Sequence, residues 1–193
     1  VLDESANDME SQVVTCVNEA LELVKDSETC LKKKKNNSPS ACNKPKRKKV
    51  VKSINILFCS DSQGKQIPMK LDNLSNGKVN TFGYVRANTT LMQVVDSATI
   101  VNDSRPVIFL GGSNDSLDNN FGDIYLNLEE KLNVLSASRP IFISTITLRY
   151  DLPKSSSGNL EIAKANNYIV ELVKRINNVY LVDLTSLNRF HFT

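Results

Sequence analysis

One histidine, His191, and four cysteines at positions 16, 30, 42 and 59 are all that these 193 residues offer a soft-metal site. No Cys-x-x-Cys pair exists and no second imidazole accompanies His191, so a zinc cluster is excluded and no cofactor is expected. There is no apolar run of about 18 residues, the length that a membrane-spanning helix needs. Residues 1–31 carry eight acids and one lysine, the opposite of a secretory leader's basic start. Without such a leader, the Asn-x-Ser/Thr triplets at Asn88 and Asn114 read as chance in an Asn-rich chain. The expectation is a soluble, intracellular protein of a reducing compartment, nuclear or cytoplasmic, with no membrane partner.

What is present is unevenly distributed. The net charge of +3 conceals a basic block, residues 32–49, with nine bases and no acid, whereas from Val50 onward 14 bases meet 13 acids. Ahead of that block, Met9, Val13, Val17, Ala20, Val24 and Leu31 follow a helical stripe broken by Ser27, which predicts an amphipathic helix over residues 1–31. It is short for a coiled coil, so packing against the domain and weak self-association both remain open. Residues 32–49 pair Lys32 to Lys35 with Lys44, Lys46, Arg47, Lys48 and Lys49 across an Asn/Ser/Pro spacer. That composition predicts a disordered linker, and its two basic clusters have the form of a bipartite nuclear-import signal. The same lysines and arginine are the candidate contacts for RNA or DNA; the alternative is a solvated, self-repelling linker.

From residue 50 to 193, strand and helix patterns alternate. Strands are predicted at Ile54 to Cys59, Val79 to Val85, Pro106 to Leu110, Pro140 to Ile143 and Val179 to Val182. Helices are predicted between them: Lys65 to Leu74, broken near Pro68; Leu91 to Val101; Phe121 to Leu135, with its apolar stripe running through Ile124, Leu126, Leu128, Leu132 and Leu135; and Asn159 to Ile176. The fold class is therefore α/β, a three-layer αβα sandwich on a five-stranded, mainly parallel sheet ordered 2-1-3-4-5. Ser60-Asp61-Ser62, Gly112 to Asp115, the stretch holding Thr147, Arg149, Tyr150 and Asp151, and Asp183 each follow a predicted strand. All should gather at the sheet's carboxyl edge, where open α/β sheets bind ligands.

Ser62 is the first candidate for chemistry, a hydroxyl delivered to that edge; the alternative is that Ser60 and Ser62 cap the next helix. Strand-Ser-Asp-Ser followed by strand-Gly-Gly-Ser-Asn-Asp resembles blocks one and three of the SGNH (GDSL-type) hydrolases, over about residues 53–193. The resemblance implies that Ser62 is the nucleophile and Asn114 the oxyanion-hole asparagine, with Asn88 where the family's second-block glycine supplies another donor. Ser60 replaces the usual glycine of block one. Asn114 and Asp115 also suit a plain capping or loop role. With its helical and basic amino-terminal segment, the chain further resembles the divergent esterase domains of LINE-type retrotransposon and related insect proteins.

The base departs from the family pattern. The last block of the family is Asp-x-x-His, whereas His191 follows Asn188. Three expectations stand side by side: the chain stops short of its catalytic segment, the enzyme is degenerate, or His191 is an ordinary surface residue. Two functions follow. One is a catalytically impaired domain kept for binding nucleic acid or protein; the other is an active serine esterase using Ser62 and Asn114, with Asp183 or Asp151 as substitute bases should His191 not serve.

Overall fold

A computed structural model of the chain describes Thr15 and residues 53–101, 104–118 and 121–186. The expected amino-terminal helix (Thr15 apart), the basic linker with Lys44, Lys46, Arg47, Lys48 and Lys49, and His191 with Asn188 lie outside the described residues.

Five parallel strands form the sheet in the order β2-β1-β3-β4-β5: β1 Ile54–Ser60, β2 Val79–Val85, β3 Val107–Leu110, β4 Ile141–Ser144 and β5 Val179–Val182. Five helices connect them: α1 Ile67–Leu74, α2 Leu91–Ser97, the single turn α3 Asp115–Asp118, α4 Phe121–Ser136 and α5 Ser157–Arg175. The central strands are buried on both faces, which is why they read as continuous apolar runs. Leu57, Cys59, Val107, Phe109, Ile141 and Ile143 point to one face and pack with α2, α4 and α5. Ile56, Phe58, Ile108 and Phe142 point to the other, against Ile67 and Leu71 of α1. Completely removing such side chains from water stabilises each by about 1.5–3 kcal/mol, so the two clusters dominate the fold.

Three local expectations are corrected. Pro68 does not break a helix; α1 begins at Ile67, which puts Pro68 in the first turn, where its missing N–H has no intrahelical partner to lose. The helix expected to reach Val101 ends at Ser97 and tightens into a 3-10 turn, Ala98–Ile100. Leu126 leaves the apolar stripe of α4: it is 78% exposed, because α4 buries Ile124, Leu128, Leu132 and Leu135 on one side and turns residue 126 away.

The register levels the carboxyl ends of the first three strands. Ser60 pairs with both Val85 and Leu110, so the chain leaves β1, β2 and β3 at the same height.

Candidate active site

β1 ends at Ser60, and Asp61 turns the chain into a 3-10 turn, Ser62–Gly64. The capping role open to Ser60 and Ser62 falls instead to Asp61, whose Oδ1 accepts the Gln63 N–H at 2.9 Å. Ser60 is turned inward and its Oγ donates to the Asp61 carbonyl at 2.6 Å. Ser62 is thereby left exposed, and among the described residues its hydroxyl has no hydrogen-bond partner. Gly64 lets the turn fold this closely over the strand: a Cβ there would sit 1.9 Å from Ser60 Oγ and 2.7 Å from Phe58 Cε1. A serine projected from a tight strand-to-helix turn, with its capping duty taken by a neighbour, is available for nucleophilic work.

The loops after β2 and β3 are knitted to this turn. Asp61 N–H donates to the Leu110 carbonyl at 3.2 Å and Arg86 N–H to the Ser60 carbonyl at 3.0 Å. Gly111 and Gly112 leave β3 at φ +157° and +109°, and a Cβ on Gly112 would lie 2.9 Å from Ile146. Asn114 follows, half-buried, and its Nδ2 donates to the Thr89 carbonyl at 3.0 Å. That bond uses one amide hydrogen and leaves the second for another acceptor. Asn88, one residue before Thr89, is exposed with φ +57°. Glycine adopts that left-handed conformation most easily and asparagine is among the side-chain-bearing residues most often found there, which accounts for an Asn where a glycine was the expectation. The structure thus places Ser62, Asn114 and Asn88 on three adjoining loops at one edge of the sheet.

Two buried carboxylates lie behind those loops. Burial raises the Asp61 pKa, offset in part by the amides of Gln63 and Gly112; its Oδ2 has no hydrogen-bond partner among the described residues and lies 3.1 Å from where a Cβ on Gly111 would sit. Asp115 accepts the Leu91 N–H at 2.8 Å, holding the start of α2 against β3. Burial pushes its pKa up to about 6, with the Leu91 amide opposing and the charges of Asp61 and Asp123 adding to the rise. Neither carboxylate stood out in the sequence as more than a turn former. The available signal was position, since each is adjacent to a motif residue, Asp61 to Ser62 and Asp115 to Asn114.

The same edge receives the loop after β4. Thr147 Oγ1 donates to Gln63 Oε1 at 3.1 Å, tying that loop to the serine turn. Arg149 forks onto Asp151, with Nε 3.0 Å from Oδ1 and Nη2 on Oδ2. The arginine holds the Asp151 carboxyl below its ordinary range, which makes it a poor proton acceptor. Asp183 Oδ1 accepts from Thr185 N at 2.9 Å and Thr185 Oγ1 at 2.7 Å, so this carboxylate is committed to shaping the turn after β5. Among the described residues no cluster of His, Cys, Asp and Glu could hold a metal ion, and no helix is long and apolar enough to cross a membrane.

No family model matches the sequence, and no curated protein matches it either. Solved structures do. A member of the lipolytic G-D-S-L family from Veillonella parvula aligns over 69% of this chain and 79% of its own, with a TM-score of 0.57 at 17% identity. This domain shares that protein's fold. An acetyl xylan esterase aligns over 72% of this chain and 80% of its own, with a TM-score of 0.52 at 16% identity. The likeness shows the fold alone, and the roles of individual residues rest on the site's own geometry.

Proposed function

We propose that the domain is an SGNH-type serine hydrolase site for acyl esters. The observation that supports it is the exposed Ser62 hydroxyl, released from capping by Asp61 and flanked by the Asn88 and Asn114 loops. In this reading Ser62 Oγ attacks the ester carbonyl carbon and its proton passes to a base. Asn114 Nδ2 and the Asn88 backbone N–H receive the developing oxyanion, the alcohol leaves with the proton, and water then hydrolyses the acyl-serine. His191 is the sole imidazole in the sequence and hence the candidate base. Asn188 stands where an orienting aspartate would fix the imidazole's tautomer, a defect that lowers turnover by about 10⁴ in the Ser-His-Asp enzymes, so the esterase is impaired rather than fast. The test is hydrolysis of p-nitrophenyl acetate by the full chain. Slow turnover lost separately in Ser62→Ala and His191→Ala is the expected result; turnover untouched by Ser62→Ala would end the esterase reading.

The basic run favours a second role. Nine bases without an acid in residues 32–49 support contact with RNA or DNA phosphates, and the stripe over residues 1–31 supports weak self-association. Such a pairing of nucleic-acid contact with a weak esterase domain fits a retrotransposon-like context.

A further inference from the structure

β2 closes one edge of the sheet, and its last residues leave large apolar groups in water: Phe82, Tyr84 and Val85 are 46%, 42% and 37% exposed. Phe82 and Tyr84 pair with Leu57 and Cys59, so both rings project from the sheet face on which α2 packs. Arg86, two residues on, lines the same cavity as Tyr84, and the Arg105 guanidinium lies 4.6 Å from the Phe82 ring centroid. We propose that this strip, Phe82, Tyr84, Arg86 and Arg105, binds single-stranded nucleic acid, with bases stacked on the rings and Arg86 on a phosphate. The proposal rests on the nucleic-acid reading of residues 32–49 and adds a site on the folded domain.

Spacing and charge select the occupant. Residues i and i+2 of a strand are about 6.8 Å apart, twice the roughly 3.4 Å step between stacked bases, so neighbouring nucleotides can open and lay one base on each ring. Arg105 extends the Phe82 platform, since a guanidinium plane takes a base as an aromatic face does. The cavity beside Tyr84 and Arg86 holds about 180 Å³. Gln93 in its wall spends Oε1 on the Thr90 N–H, which leaves Nε2 to donate to a base edge. Residues 73–95 contain Lys78 and Arg86 and no acid, so a phosphate chain meets no repulsion along the strand. Asp96, at the cavity wall, is engaged by Lys131.

A peptide added as a sixth strand would be the other use of such an edge, and α1 stands in its way. The Thr81 N–H, a donor that an added strand would need, is taken by Asp72 Oδ1 at 2.7 Å. Pro68, in the first turn of α1, crowds Gly83, where a Cβ would sit 2.9 Å from the proline Cγ. With the edge backbone guarded in this way, the side chains of the opposite face are the accessible part of β2. Ring faces accept any base, because every base has a π-face. Stacking acts only at contact, so residues 32–49 supply the attraction at a distance and the strip holds bases of a strand already drawn in.

The test measures binding of the full chain to a labelled uridine oligomer and to an abasic oligomer of the same length. Phe82→Leu and Tyr84→Leu keep an apolar residue on the exposed strand and remove the ring. Each should weaken binding of the uridine oligomer about five- to a hundredfold, with the salt slope unchanged and the abasic oligomer unaffected; Phe82→Trp should retain the affinity. Arg86→Gln should instead make the slope shallower by about 0.7 on either oligomer. Ring substitutions without effect, or an equal loss with the abasic oligomer, overturn the strip. A poly-glutamate peptide that loses affinity with the same ring substitutions would assign the surface to an acidic protein and overturn it as well. Binding that is lost on deleting residues 32–49 yet indifferent to the rings ends the strip alone, whereas a full chain that binds neither oligomer ends both readings.

Discussion

Asp115 carries the clearest electrostatic consequence of any single residue. Its pKa is about 6 in the fold, against about 3.9 for an unfolded aspartate. Below pH 4 both states hold the proton. Between pH 4 and 6 the unfolded chain releases it while the fold keeps it, so this group lowers stability as pH rises; above 6 the loss is complete. A difference of this size corresponds to about 2–3 kcal/mol. Asp115→Asn preserves the side-chain shape and the acceptor for Leu91 N–H, but it does not titrate. Urea midpoints of the two proteins should therefore diverge in favour of the asparagine as pH goes from 4 to 7; a difference independent of pH would exonerate Asp115. Gly64 makes a steric counterpart. With its Cβ position 1.9 Å from Ser60 Oγ, Gly64→Ala must push the serine turn away from β1. Overpacking of this kind destabilises by about 1–3 kcal/mol, and the same variant should lose Ser62-dependent hydrolysis because the nucleophile moves with the turn.

Among the elements, α5 does more than cover the sheet. Asn159 and Asn166 satisfy both backbone groups of Arg149 and Ile146, and a buried group left unpaired costs about 1–3 kcal/mol. Asn166→Leu, leaving two such groups, should destabilise the domain by about 2–6 kcal/mol on that basis. Native-state hydrogen exchange should show the Ile146 amide opening far more readily than those of β3; equal protection would deny the clamp. These two asparagines also mark the limit of what local pattern reveals. The strands were legible because parallel strands buried on both faces must be apolar throughout, and the polar residues closing each strand showed which edge would carry the site. Asn159 and Asn166 lie within a helical pattern, where a polar residue reads as solvent-facing, and their partners are ten and twenty residues distant. Pro68 and Leu126 depart from the local pattern for a related reason: the proline's effect depends on which turn it occupies, and the leucine's burial depends on which way the neighbouring elements let α4 face. The capping role of Asp61 is not legible because a Ser-Asp-Ser string does not say which of its three caps will form.

At the scale of the whole molecule, charge is segregated along the chain. Residues 1–31 hold eight acids, residues 32–49 nine bases, and the remainder is close to balanced with 14 bases and 13 acids. A balanced folded domain has no long-range pull on a polyanion, so any attraction for nucleic acid should belong to the basic segment. Nine cations engaging phosphates release a corresponding number of counterions, with a log–log salt slope of roughly −0.7 per contact on single strands and −0.9 on duplex. If six of the nine engage, affinity for single-stranded RNA should fall with a slope of about −4 as salt is raised, with little preference among sequences. The acidic residues 1–31 compete for the same cations, so removing them should tighten binding, and deleting residues 32–49 should abolish it. Fluorescence anisotropy with a labelled poly-uridine oligomer over a salt series reads both effects. Binding that survives deletion of residues 32–49 would move the site onto the folded domain, where the exposed Arg86 beside Tyr84 on the β2 edge would be the first residue to substitute.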